Sequence, residues 1–320
     1  MLDKLLGVAS VLAYAAGTVA GPSATDADVV LTFADPAIVE SSGLVATGQL
    51  FVTVNDSGDG GRVFVVDRSG ATVGTTTWDP GPRDAEALAP AGRGAVWVGD
   101  IGDNARSRDS VTVLRVPVGR GDRTVTPASY ELVYPDHAHD AETLLADPTT
   151  GQLFVVSKDV FGGTVYAAPK RLSADRPNLL TEVAQGPSIA TDGSFFPDGR
   201  HLVVRGYARA TVYSYPGFEV VGSFRLPQQR QGEGVSVGPH DELYLTTEGQ
   251  FTDLLRTALP PDVAAAMTPP SPTPAPAATP AAEAAADEPS DSAPWWPWAV
   301  GIAAFAGLGG WLLLRRGAAS

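Results

Sequence analysis

The chain has 320 residues, a net charge of −14 and no cysteine. That charge argues against nucleic acid as a partner, because a phosphate backbone is held by stripes of Lys and Arg. Without cysteine there is no disulfide scaffold, no thiol nucleophile and no thiolate metal site.

The chain opens with Met1-Leu2-Asp3-Lys4, an apolar stretch from Leu5 to Val19, and small residues at Thr18 and Ala20. This order predicts a secretory signal peptide over residues 1–20. Val29 to Phe33 is a strand candidate with no strand before it to pair with. From Glu40 onward one pattern recurs five times: a carboxylate, then about ten residues later a run of β-formers that ends on a polar or charged residue. The copies are Glu40-Ser-Ser-Gly-Leu with Leu50–Val54, Asp84-Ala-Glu86-Ala-Leu with Val96–Val98, Asp140-Ala-Glu142-Thr-Leu with Leu153–Val156, Thr191-Asp192-Gly-Ser-Phe with Leu202–Val204, and Gly232-Glu233-Gly-Val with Leu243–Leu245.

A repeat of this size with several short strands per unit predicts an all-β fold, a β-propeller over residues 27–263. Five copies predict five four-stranded blades. The fifth unit is one strand short, so the N-terminal strand is expected to close the ring as the outer strand of the last blade, which removes free edges. The longer spacing between Glu86 and Glu142 leaves six blades as the alternative.

Residues 264–293 are dominated by Ala, Pro and Thr. Such a segment predicts an extended stalk that reaches on the order of 80–90 Å. Residues 295–314 then form an apolar run long enough to cross a bilayer as a helix. It opens with Trp295, Trp296 and Trp298 at the interface and is followed by Arg315-Arg316, which start a short cytoplasmic tail, 315–320. A single-pass cell-membrane protein is therefore expected, with its propeller outside.

In a propeller the innermost strands line the central channel. Glu40, Glu86, Glu142, Asp192 and Glu233 are expected to form one ring of carboxylates around it. Crowded carboxylates must share protons, accept backbone amides or hold a cation. Oxygen ligands suit Ca²⁺, and backbone caps between blades are the other reading. Asp100 and Asp103, in Asp100-Ile-Gly-Asp-Asn104, are further candidates for the cation.

A second set lies where the second strand of each unit ends: Asn55, Asp56, Asp100, Lys158, Arg205 and Glu248. It differs from blade to blade, which suits recognition of an asymmetric ligand. Replacing Lys158 and Arg205 by Ala is expected to remove binding and leave the fold intact. His137-Ala-His139 can chelate a metal, but no third histidine sits at a matching place, so zinc is not expected there. No Gly-x-Ser-x-Gly elbow occurs.

The segment Gly99-Asp-Ile-Gly-Asp-Asn104 resembles one carried by a group of secreted bacterial propellers. Asp84-Ala-Glu86-Ala-Leu-Ala89 with Val96-Trp97-Val98, and Gly232-Glu233-Gly-Val with Leu243-Tyr244-Leu245, are distantly similar to the blades of phytase-like propellers. The resemblance covers residues 28–260 and implies the fold. Phytase-like activity would also imply several Ca²⁺ ions and a cluster of Lys and Arg, and this chain has few basic residues near its channel. Two functions stay open: an extracellular module that binds a ligand or protein, with Ca²⁺ stabilising it, and a metal-dependent extracellular hydrolase acting at the channel mouth.

Overall fold

The structure, a computed structural model, describes residues 27–56 and 58–268. The expected signal peptide, membrane span and tail, and all but the first residues of the expected stalk, lie outside the described residues. Among the described residues no helix is long and apolar enough to cross a membrane.

The described chain is a five-bladed β-propeller. Blade 1 runs β2 (Ser41–Ala46), β3 (Leu50–Asn55), β4 (Arg62–Asp67) and β5 (Thr72–Thr77) from the axis outward. Blade 2 is β6 (Ala85–Pro90), β7 (Ala95–Asp100), β8 (Val111–Pro117) and β10 (Ala128–Val133). Blade 3 is β11 (Ala141–Ala146), β12 (Leu153–Ser157), β13 (Thr164–Ala167) and β15 (Thr181–Gln185). Blade 4 is β16 (Asp192–Phe195), β17 (His201–Arg205), β18 (Arg209–Ser214) and β19 (Val220–Arg225). Blade 5 is β20 (Gly232–Val237), β21 (Leu243–Thr247), β22 (Asp253–Thr257) and, outermost, the N-terminal strand β1 (Asp28–Thr32). β1 pairs antiparallel with β22, so the two ends of the folded chain share one blade, as the repeat count requires.

The long interval between Glu86 and Glu142 holds no sixth blade. It is taken up by the β8–β10 connection, which lends β9 (Arg123–Thr124) in parallel to the outer edge of β5. The β13–β15 connection does the same for blade 2 through β14 (Asn178–Leu179), which pairs with β10. Each strap covers part of an outer edge of the preceding blade, where unpaired backbone groups would otherwise invite association.

Apolar side chains alternate along the middle strands and pack between neighbouring sheets. The core is accordingly split into five clusters, one at each blade interface. Val45, Val65 and Val98 lie in the cluster between blades 1 and 2, and Phe33, Phe51 and Tyr244 in the one that joins blade 5 to blade 1. The inner strands are buried along almost their whole length, whereas β15 on the rim is mostly exposed. Near the axis they approach too closely for side chains everywhere: a Cβ on Gly43 of β2 would collide with the backbone nitrogen of Leu88 on β6. A short helix, α1 (Pro261–Met267), carries the folded part past residue 263 and places Val263 in the blade 4–5 cluster.

Candidate functional site

The inner strands all start at one end of the channel, and the second strands end there. This end is the mouth. Side chains two residues apart on a strand share a face, so the doublets Asp84/Glu86, Asp140/Glu142 and Gln231/Glu233 each place one polar group deep in the channel and one nearer its opening. Register fixes the deep level. Ser41, Ala85, Ala141 and Gly232 each face the last residue of their second strand, Asn55, Asp100, Ser157 and Thr247. The next residue in these four blades is therefore equivalent: Ser42, Glu86, Glu142 and Glu233. In blade 4 Asp192 itself faces Arg205, the last residue of β17, and so stands one residue before that level.

This corrects the expected ring. Ser42, not Glu40, stands level with Glu86, Glu142 and Glu233, because Glu40 precedes the paired residue Ser41 as Asp84 precedes Ala85; Asp192 is one residue off the level as well. The Ser42 hydroxyl donates to the Glu86 carbonyl at 2.9 Å and lies 3.2 Å from Glu86 Oε2. Glu40 belongs to the outer level with Asp84 and Asp140.

The acids of the expected ring differ in duty. Asp192 is fully buried and its oxygens accept the amides of Gly193 and Val235, both at 2.8 Å, so it caps the neighbouring blade. Burial pushes its carboxyl well up, against the pull of those amides. Glu142 accepts from Lys158 Nζ, which also reaches Tyr207 Oη at 3.1 Å. Burial alone would lower the Lys158 ammonium, but Glu142 beside it holds it protonated. Glu86 is pushed well above the usual carboxylate range by burial and then by Glu142, Asp56 and Asp84, and Glu233 is raised by burial. Glu142 Oε2 and Glu233 Oε2 are buried with no hydrogen-bond partner among the described residues.

Strand parity divides the second expected set. Asn55 turns into its blade, where Oδ1 accepts the amides of Val39 and Glu40 and Nδ2 donates to the Ala37 carbonyl. Asp100 accepts the amides of Arg83 and Asp84 and an ion pair from Arg108 at 2.8 Å. Arg205 is wholly buried and donates to the carbonyls of Gly206, Tyr207 and Gly234 and to Gln229. Burial lowers its guanidinium to about 10. The expectation that Arg205 is an accessible ligand group that can be truncated without harm is thus corrected: no face of it reaches solvent. Asp103 is also used internally, accepting the amides of Ser107 and Arg108 at 2.7 Å each. The Asp100–Asn104 string is a turn tied by its own donors.

Asp56, Lys158 and Glu248 sit one residue further on, at the opposite parity, and belong to the mouth. Carboxylate oxygens of Asp56, Asp84 and Glu86 lie within 4.8 Å of one another. Gly102 packs against this group, and a Cβ there would collide with the Asp84 carboxylate. Burial, with Asp56 and Asp140 adding to it, pushes Asp84 up to about 6. Glu248, which accepts from Gln231 Nε2 at 2.6 Å, is raised to about 7 by burial and then by Glu233 and Asp56. Asp84, Asp140, Tyr207 and Gln231 were not among the expected site residues. The two-residue spacing ahead of each deep glutamate is the signal that finds three of them, whereas nothing in sequence marks Tyr207.

These shifts have a direction in stability. From ordinary values of 3.8 and 4.5, Asp84 and Glu248 rise to about 6 and 7 in the fold. The folded state therefore keeps protons that the unfolded chain has released, and that stabilisation is lost as pH climbs from about 4 through 7. In EDTA, Glu248→Gln should gain in unfolding midpoint over the parent chain as pH rises from 5 to 8. Parallel melting curves for the two proteins would show that Glu248 does not titrate in this window.

No protein-family profile matches the sequence, and no curated protein matches it. Solved structures similar in fold include a gluconolactonase of Xanthomonas campestris, at 14% identity over 66% of this chain and 69% of that one with a TM-score of 0.42. A streptogramin B lyase matches at 11% identity over 68% of this chain and 65% of that one, with a TM-score of 0.39. A glucose dehydrogenase matches at 11% identity over 73% of this chain and 99% of that one, with a TM-score of 0.40. All three are β-propellers, and the likeness is one of fold alone.

Proposed function

We propose that the protein is a cation-dependent binding module whose channel mouth holds a hard divalent ion, Ca²⁺ by its chemistry, on Asp56, Asp84 and Glu86. The observation that carries this is the convergence of those three carboxylates within 4.8 Å, beside the buried, partnerless oxygens of Glu142 and Glu233. One ion at 2.3–2.6 Å from each oxygen can bridge such a gap. All three side chains offer oxygen donors, which suit a hard ion. Ca²⁺ takes about 6–8 oxygens, more than three side chains supply, so positions remain for water or an oxygen-rich ligand. Val160 and the fully exposed Phe161, on the β12–β13 loop at the same end, add an apolar rim for a partner to cover. Display on a stalk above the cell membrane, from the segments at 264–293 and 295–314, is part of the same proposal.

Calorimetric titration of the full-length chain with Ca²⁺ tests it. Binding is expected in the parent protein, with a loss of at least about tenfold in Asp84→Asn. A parent that takes up no Ca²⁺, or an Asp84→Asn that binds as well, overturns the assignment.

One observation favours a second reading, metal-dependent hydrolysis. Asp84 at about 6 and Glu248 at about 7 exchange protons near neutrality, as a general base must. On that reading Glu248→Gln loses turnover of a phosphate or carboxylic ester while keeping its Ca²⁺ affinity. Absence of any turnover across such esters leaves the binding module alone.

A further inference from the structure

Residues 134–140 connect the outer strand of blade 2 to the inner strand of blade 3. The His137-Ala-His139 pair in this connection has no third histidine, but the structure brings in Asp136. His137 Nδ1 lies 2.9 Å from Asp136 Oδ2, and His139 Nε2 lies 3.1 Å from that same oxygen and from Oδ1. The two imidazole rings are 4.2 Å apart, and one ligand atom from each of the three residues falls within 4.8 Å of the others. A tetrahedral zinc ion with bonds of about 2.0–2.1 Å holds its ligand atoms roughly 3.3–3.4 Å apart. The observed contacts need to open by only a few tenths of an ångström to admit one.

The three side chains differ in freedom. His139 is fixed: it is buried and its ring packs edge-on against Tyr134 at 5.0 Å, while the Tyr166 Oη contact at 2.8 Å from Nε2 is one that a bound ion would replace. His137 and Asp136 are exposed and able to adjust around the fixed ligand. From this convergence we infer that Asp136, His137 and His139 form a second metal site, distinct from the carboxylate mouth, for a borderline transition ion of the Zn²⁺ class. Two imidazoles and one carboxylate suit such an ion and disfavour Ca²⁺, which takes oxygen donors. Three protein ligands at an exposed edge leave a coordination position open to water. His139 Nδ1 is buried with no partner among the described residues, so the second-sphere acceptor that raises imidazole basicity is missing. The affinity therefore belongs in the micromolar rather than the nanomolar class. An ion here would brace the segment that leads directly into Asp140 and Glu142.

The test is titration of the EDTA-treated, full-length chain with Zn²⁺ in a large excess of Ca²⁺, followed by calorimetry and by the histidine ring resonances. A single Zn²⁺ equivalent should bind and shift the signals of His137 and His139. His137→Ala removes an exposed side chain, so it should leave the metal-free melting midpoint unchanged while weakening Zn²⁺ by roughly 10–100-fold or more. Glu86→Gln should bind Zn²⁺ like the parent. No Zn²⁺ uptake, unchanged uptake in His137→Ala, or loss of uptake in Glu86→Gln overturns the inference; the last outcome places the Zn²⁺ in the mouth.

Discussion

Replacing Arg205 with Ala is expected to destabilise the protein by about 3–5 kcal/mol, the usual penalty for removing one partner from a buried charged network. The guanidinium donates to the carbonyls of Gly206, Tyr207 and Gly234 and so bridges from blade 4 to blade 5. Truncation takes the guanidinium donors from these oxygens and removes a positive charge that favours the Glu233 carboxylate. At about 2–4 °C per kcal/mol for a domain of this size, the midpoint should fall by roughly 6–20 °C in a thermal melt. Arg205→Lys should recover little, because an ammonium cannot make the planar fork of contacts. A midpoint within about 2 °C of the parent in Arg205→Ala would falsify the structural role.

Ca²⁺ should act in the opposite direction. An ion that binds only the folded state at 100 times its dissociation constant adds about 2.7 kcal/mol, which raises the midpoint by roughly 5–10 °C. The gain should be larger at pH 8 than at pH 5, since protons compete for Asp84 and Glu86, whose carboxyls sit above the usual range. Comparing melts in EDTA and in Ca²⁺ at both pH values checks both statements. A shift that is absent, or that persists in full in Asp84→Asn, removes the cation from the mouth.

The blade count, the closing strand and most of the turns were legible because each rests on local chemistry that repeats: alternating β-formers, Gly and Pro at the corners, and a missing strand at one end matched by a spare at the other. The functional division was less legible. Asn55, Asp100, Ser157, Arg205 and Thr247 occupy one structural position, yet each ties down its own backbone with a different donor or acceptor. Variation from blade to blade therefore looked like ligand recognition when it reflects five local solutions to one anchoring problem. Asn55 and Asp56 are adjacent and both polar, and only strand parity at the end of β3 sends one inward and the other to the mouth. Glu40 was misplaced for a related reason. Blade 1 keeps the outer carboxylate of the doublet, Glu40, but carries an uncharged side chain, Ser42, at the level that Glu86, Glu142 and Glu233 fill. Tyr207 gave no signal, since a lone tyrosine after a strand is most often packing.

The pairing of β1 with β22 has a consequence during synthesis. Val29 faces Leu255, so these partners are 226 positions apart in the chain (255 − 29). At about 5–20 residues per second, the first strand leaves the ribosome roughly 10–45 s before the second exists. Blades 1 to 4 have all their strands before then, whereas blade 5 waits for the last segment to be translated. Until that moment β1 is an unpaired hydrogen-bonding edge, open to chaperones or to another nascent copy.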